Sequence, residues 1–471
     1  MATSRRQFLI AAGAAAFALP AKGAAAGAQV SPEMFGAKGD GRTNDTHAFV
    51  AMSAHLNAAG GGTIVLRPRT YVVGAQNPSA GGKGAFTASF TASDIIHLTG
   101  CGLPIVIEGG GARLRCARGL RYGRFDPRSG RPLPDVLKLD ETNEAVPYVA
   151  FIHIEKCSGG IEISELELDG NLPGLWIGGD SGYGGWQAGG TGIILHGNRG
   201  TTRLSRIHSH HHAQDGMILT PTLDRRGSTT VVDAICEYNG RQGCSVTGGR
   251  NFLFQRCRFR HTGRSGLQSA PGAGVDIEAE NWPIRHVVFE DCEISDNSGF
   301  GLVSGSGDSA DISCSRCKFI GTTTWAAAPG SPGMRFSNCI FAGSIAYCHG
   351  DADASRATHF IDCTFTDDRS LSPTGKLFFG KTKEHPIAVV QKSPNVRFDG
   401  CRFRLTGDAV LPSSDKEVIY SNCVMSQHSP ARSEPRGTYL GTNSISGRAD
   451  LAGAIIHGRV VLNGRVLPRT S

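Results

Sequence analysis

Cys257-Arg258-Phe259, Cys292-Glu293-Ile294, Cys317-Lys318-Phe319, Cys339-Ile340-Phe341, Cys363-Thr364-Phe365, Cys401-Arg402-Phe403 and Cys423-Val424-Met425 repeat one local pattern. Successive cysteines are 35, 25, 22, 24, 38 and 22 residues apart. Two longer steps each leave room for one inserted loop. On an extended strand, residues two apart share a face. Each Cys and the apolar residue after next therefore point the same way, and the mostly polar residue between them points outward. A small apolar residue recurring once per step is the mark of an internal ladder on stacked coils. The 14 Cys of the chain are thus expected to be mainly buried free thiols rather than a disulfide framework. Metal-ligand spacing is weak: only Cys314-Ser315-Arg316-Cys317 has a local C-x-x-C form, with no second pair opposite it.

A second strand set begins at glycine: Gly192, Gly216, Gly243, Gly274 and Gly301. Polar turns precede these strands, at His210-His211-His212, Tyr238-Asn239 and Asp296-Asn297. Short strands at regular intervals with few helical signals predict an all-β parallel solenoid. Composition agrees. Gly reaches 64 of 471 residues and charged residues 19%, against roughly 7% and 25% in ordinary chains. No apolar run is long enough to span a bilayer. Lys and Arg are scattered without aromatic interleaving, which argues against nucleic-acid binding.

The N-terminus reads as an export signal. Ser4-Arg5-Arg6-Gln7-Phe8-Leu9 precedes a weakly apolar run ending near Leu19, and small residues follow at Ala24-Ala25-Ala26. Paired arginines before Phe-Leu resemble a twin-arginine signal, which carries proteins out already folded. Folding in a reducing cytoplasm suits free thiols. Cleavage near Ala26 removes Arg5, Arg6 and Lys22 and no acid, taking the formal net charge from +7 to +4. The expected organisation is a signal over 1–26, a parallel β-helix over 27–407 and a closing segment over 408–471. The expected location is periplasmic or secreted.

Solenoids must cover their ends. Asn44 or Asp45 can cap a helix over about 45–59 that turns Phe49, Met52 and Leu56 to one side. Gly60-Gly61-Gly62 ends it, and Thr63-Ile64-Val65-Leu66 opens the first strand. The whole stretch from Phe35-Gly36-Ala37-Lys38-Gly39-Asp40-Gly41 through Thr70-Tyr71 resembles the N-terminal opening of the pectate-lyase/rhamnogalacturonase-type superfamily. The resemblance implies a right-handed parallel β-helix with an N-terminal capping helix. It also implies carbohydrate substrates, since that group holds polygalacturonases, glucanases, polysaccharide lyases, epimerases and phage depolymerases. The polygalacturonase signatures are absent, so no catalytic residue carries over from it.

Candidate site residues follow from chemistry. In Val275-Asp276-Ile277-Glu278-Ala279-Glu280 the apolar residues alternate inward, which puts Asp276, Glu278 and Glu280 on one outward face. Carboxylates two residues apart on a strand are separated by about 6.5–7 Å at Cα. That suits the inverting glycosidase arrangement, where a water sits between acid and base. Asp215 lies two coils away on the same side. A solvated acidic stripe is the competing reading, and a Ca²⁺ site is a third. The loop holding Trp176, Tyr183 and Trp186 offers aromatic faces for sugar rings, or else folds back over the coil. A second insertion, Thr262 to Ala273, precedes the acidic strand, and the two loops together could wall a cleft. Arg241 could pair with Asp276 or with a uronate carboxylate. His212 beside Asp215 is a candidate base among His208, His210 and His211, for which a polar turn is the plainer account.

The expectation is an exported enzyme that hydrolyses a polysaccharide, with Asp276, Glu278 and Asp215 as catalytic residues. Trp176, Tyr183, Trp186, Arg241, His212 and Glu280 would bind a substrate that carries acidic sugars in one version of this reading. No cofactor or resident metal is expected unless the Ca²⁺ reading holds, and the oligomeric state is left open. The alternatives are a uronate lyase or epimerase and a non-catalytic glycan-binding surface protein.

Overall fold

The computed structural model describes residues 27–78, 90–126, 128–134, 144–180, 185–221, 227–280, 282–380 and 384–470. The expected signal and Tyr183 lie outside these described residues. The chain winds as a parallel β-helix with three strand rows. The first row is an eight-stranded parallel sheet running Ile96–Thr99, Ala150–Glu155, Thr191–His196, Asp215–Thr220, Gln242–Val246, Val275–Glu278, Leu302–Ser306 and Ala327–Pro329. The other two rows belong to one 28-stranded sheet. A sharp bend divides them in each coil, as between Gly249–Gln255 and Arg258–Arg260.

That bend explains the cysteine repeat. The residue before each Cys of the repeat adopts a left-handed backbone: Arg256 (φ 52°), Asp291 (54°), Arg316 (54°), Asn338 (55°), Asp362 (52°), Gly400 (63°) and Asn422 (55°). A single such residue redirects the strand, and after glycine it is Asn and Asp that tolerate the conformation best. The Cys therefore sits in the bend, just ahead of the strand rather than on it, and still points inward. Its thiol donates to the preceding coil, as from Cys292 Sγ to Phe254 O (3.5 Å) and Cys423 Sγ to Phe398 O (3.2 Å). Outside the same bend, Arg256 and Arg316 grip Asp233 and Asp291 two-pronged at 2.7–3.0 Å.

All 14 cysteines are free and buried. Burial pushes the Cys236, Cys244 and Cys314 thiols well above the usual thiol range. The native protein is therefore expected to resist a thiol-titrating reagent, and to titrate all 14 only after denaturation without reductant. A fast-reacting thiol in the folded state, or a shortfall in denaturant, contradicts this packing.

Two aromatic stacks run through the C-terminal half of a core that is otherwise mainly aliphatic and cysteine side chains. Phe336, Phe360, Phe398, Tyr420 and Tyr439 stack along one row, and Phe319, Phe341, Phe365 and Phe403 along the next. Phe341–Phe365 centroids are 4.9 Å apart at 8°, close to the roughly 4.8 Å spacing between strands. The two stacks meet edge to face, as at Phe360–Phe365 (5.5 Å, 72°). In-register pairing of like residues, such as Phe360↔Phe398 and Phe365↔Phe403, fixes the coil register.

The helix Thr46–Ala59 covers the N-terminal end and buries Phe49, Met52 and Leu56. Asn44 Oδ1 accepts from the Thr46 amide (3.0 Å). Asp45 instead accepts from the Lys38 and Gly39 amides (2.7 and 3.1 Å), which holds the glycine-rich opening in place. At Gly39 (φ +58°) a Cβ would lie 2.9 Å from the Tyr71 ring, so the motif needs glycine there. Past residue 407 the coils continue in the same sheet: Arg402–Leu405 pairs with Val424–Gln427, then Thr442–Ser446, then Arg459–Leu462. Asn443, fully buried, stands next in line after Cys423 and accepts from its amide (2.9 Å). An antiparallel pairing of Arg459–Leu462 with Arg465–Val466 ends the stack. Among the described residues, no helix is long and apolar enough to cross a membrane.

Candidate active site on the first strand row

Register builds the site. Ile218, Ser245 and Asp276 pair across three successive strands, each two residues after the glycines Gly216, Gly243 and Gly274. Asp215 pairs with Gln242, one residue before those glycines. Asp215, Arg241, Asp276, Glu278 and Glu280 line one cleft of about 180 Å³, together with Gln187, Gln214, Gln242, Ser245 and Thr247. The acids expected to meet do meet.

They do not form a solvated stripe. Asp276 is only 7% exposed, Glu278 is half-buried and Glu280 is exposed. Burial, and then the Glu278 charge, push the Asp276 carboxyl up to about 7. Burial raises Asp215 as well, opposed by the Arg241 guanidinium. Glu280 is raised by burial and by Glu278.

A chain of short contacts joins the acids. Arg241 donates to Asp215 Oδ2 (3.3 Å). Ser245 Oγ lies 2.7 Å from both Asp215 Oδ2 and the Gln242 side-chain amide, whose other end lies 3.0 Å from Asp276 Oδ2. Asp215 Oδ1 and Arg241 Nε are buried with no hydrogen-bond partner, two groups that a polar ligand would satisfy. Glu278 leans along the axis and accepts from Ser306 Oγ (2.9 Å).

Several expected binding residues sit elsewhere. Trp186 is 1% exposed and packs edge-on against Tyr122 (5.7 Å), so it covers the coil and offers no face to a sugar. His212 is fully buried between Tyr148 (2.8 Å from Nδ1) and Leu168 O (3.1 Å from Nε2), and burial drives its imidazole down to about 3. It packs the core rather than facing the cleft, because the turn at His211 (φ 54°) swings the next residue inward. Arg241 pairs with Asp215, not with Asp276. Trp176 is 56% exposed, on a small three-stranded sheet with Arg121–Arg124, and Arg121 lies over its ring. It is not among the residues lining the acidic cleft.

The two loops do meet. The Trp186 amide donates to Ser269 Oγ (2.6 Å), which ties the first loop to the second, and Gln187 then reaches the cleft. Gln242 and Ser245 were not anticipated, although counting from the glycine column would have found Ser245. Among the described residues, metal-type donor sets within 4.8 Å fall outside the cleft, at Asp94/His97/His153, Glu167/His208/His210 and Asp169/His210/His211.

A family described as "Right handed beta helix region" matches residues 150–341. No curated protein matches the chain. Among solved structures, the N-terminal fragment of gene product 12 of bacteriophage phi29 is 15% identical, covering 93% of this chain and 73% of that one with a TM-score of 0.51. The A-module of a mannuronan C-5 epimerase from Azotobacter vinelandii is 14% identical, over 94% and 100% of the two chains, with a TM-score of 0.45. An exopolygalacturonase from Thermotoga maritima is 12% identical, over 94% and 93%, with a TM-score of 0.40. At these identities the likeness is one of fold.

Proposed function

We propose that this chain, a right-handed parallel β-helix protein, is a glycoside hydrolase that cleaves a polysaccharide with Asp276 as general acid and Glu278 as general base. The observation that carries the reading is the buried carboxyl of Asp276, pushed up to about 7 by burial and by the Glu278 charge and held beside a second carboxylate in one cleft. A glycosidic oxygen leaves only when protonated, and an acid poised near 7 supplies that proton at neutral pH. Two residues along the strand, Glu278 is separated by about 6.5–7 Å at Cα. In an inverting pair the two carboxyl groups stand about 6.5–9.5 Å apart, which leaves room for the water that attacks from the opposite side of the ring.

Proton counting supports the assignment. A serine hydroxyl has one proton to give. Burial raises Asp215 and the Arg241 guanidinium opposes it; in this reading Asp215 is the anion of that pair, so Ser245 donates to Asp215 and accepts from Gln242. A half-turn of the Gln242 amide exchanges its donor and acceptor. Its NH₂ then serves Ser245, and its carbonyl receives the proton of Asp276. The charge pair at one end thus selects the acid form at the other.

The cleft also favours a neutral sugar over a uronate. Four acids face one cation, Arg241, which Asp215 already occupies. β-Elimination or epimerisation needs a free cation at the sugar carboxylate and a base at C5, and His212 is buried away from the cleft. The twin-arginine-like segment and the free thiols support action outside the cytoplasm after folding inside it.

Incubation with a panel of neutral and uronate polysaccharides tests this. New reducing ends are expected from a neutral member, with no unsaturated ultraviolet-absorbing product. An unsaturated product would replace the reading with a lyase, and binding without cleavage would replace it with a glycan-binding protein.

A further inference from the structure

Away from the cleft, the third strand row carries a cluster of imidazoles and carboxylates that the proposed hydrolysis does not use. Glu167 on Ile161–Asp169 pairs in register with His208 on Thr202–His210, and His210 follows two residues later on the same outward side. The His208 and His210 ring centroids are 4.2 Å apart. Glu167 Oε1 lies 3.1 Å from His210 Nε2. One ligand-type atom from each of the three falls within 4.8 Å of the other two.

Outer partners hold each ring. Glu237, itself gripped by Arg260 (2.7 Å), sits 3.0 Å from His208 Nε2 and leaves that ring its Nδ1. His211 Nδ1 sits 2.7 Å from His210 Nδ1, which leaves that ring its Nε2. Carboxylate partners on ligating histidines are the usual support of a metal centre, because they set the ring orientation and raise its basicity. Glu167 is approached by Arg113 (3.2 Å) but gets no hydrogen bond from it, whereas Asp169 is already bonded to Arg113 and to the Asn171 amide. Of the two overlapping donor sets, Glu167/His208/His210 is therefore the one with a carboxylate to spare. Glu167 and His208 are 35% and 37% exposed at the side chain and His210 8%, so the set opens to solvent on one side.

We propose that Glu167, His208 and His210 form a binding site for a divalent transition-metal ion of the zinc or nickel type. Two imidazoles and one carboxylate match that class. Calcium and magnesium require oxygen donors throughout and do not fit. With all three donors on adjacent paired strands, the ion would clasp two coils together, and water would complete its coordination.

Calorimetric titration of the untagged full-length protein, stripped of metal by chelation, with Zn²⁺ and separately with Ca²⁺ tests the site. One equivalent of Zn²⁺ is expected, with none of Ca²⁺ at this site. His208→Ala and Glu167→Gln should each abolish that equivalent, and Glu237→Gln should weaken it about 10- to 100-fold. Circular dichroism checks that each variant folds, and either of the first two variants suffices if the other does not. Absence of stoichiometric Zn²⁺ binding, full binding by both variants, or loss on His97→Ala in place of His208→Ala would overturn the assignment. None of these readouts depends on polysaccharide cleavage.

Discussion

Asp276→Asn is expected to lower kcat about 10²- to 10⁴-fold, the range that positioned acid–base groups contribute, while substrate binding changes little. The asparagine keeps the shape and the contact to Gln242 but has no proton to give. The loss should depend on the leaving group. A substrate with an aryl leaving group needs little protonation, so the variant should recover much of its rate on it. Glu278→Gln should lose rate on both kinds of substrate, because activation of water does not depend on what leaves. This contrast separates an acid from a base on the same strand, and it is read from kcat on two substrates per variant. Near-normal turnover in both variants would remove the cleft from consideration. An equal loss on both substrates in Asp276→Asn would remove its role as the acid.

Asp215 enters this scheme from a distance. Buried and paired with Arg241, it touches the reacting centre only through Ser245 and Gln242, and is best described as a positioning residue. In the proposed hydrolysis, Asp276 and Glu278 face substrate and Asp215 orders the proton chain.

What the sequence made legible is what repeats. The Cys and Phe columns and the glycine column each state one structural rule several times over, and they appear in the coils with one shift: each Cys points inward from the bend ahead of its strand rather than from the strand itself. The alternation in Val275–Glu280 placed the acids correctly because strand parity is local. Features set once, by a single turn or loop, were not legible. His212 looked like a surface turn residue, and one left-handed residue at His211 sends it inward. Trp186 lies in a long loop, and nothing local to that loop says that Tyr122 and Ser269 will receive it. Parity also says nothing of depth. Asp276 and Glu280 line one cleft, yet one is buried and the other exposed, because Asp276 lies within the strand against Gln242 of the preceding one, whereas the strand ends at Glu278, before Glu280.

That difference in depth has a thermodynamic consequence, visible in the same Asp276→Asn variant. Folded Asp276 titrates at about 7, against an ordinary value of 3.8. Below pH 4 both folded and unfolded chains hold the proton, and the stabilising contribution of the acid form is fully present. Between 4 and 7 the unfolded chain releases that proton and the folded one retains it. Linkage then requires stability to fall as pH rises through this window, and to level off above 7. Three pH units correspond to roughly 4 kcal/mol at 1.36 kcal/mol each, and Asp276 is too little exposed for solvent to screen much of it. Asparagine has no proton to lose. The variant should match the wild type near pH 4 and exceed it by an amount that grows to roughly 4 kcal/mol at pH 8. Comparing urea midpoints of the two proteins across pH isolates this residue from acids shifted the other way, such as Glu237, which its His208 and Arg260 partners hold near 2 despite burial. A variant that is inactive and yet more stable, increasingly so with pH, is the signature of an acid kept protonated at the expense of the fold. A constant difference, or a less stable variant at pH 8, would mean that Asp276 is ionised in the native cleft and cannot be the proton donor.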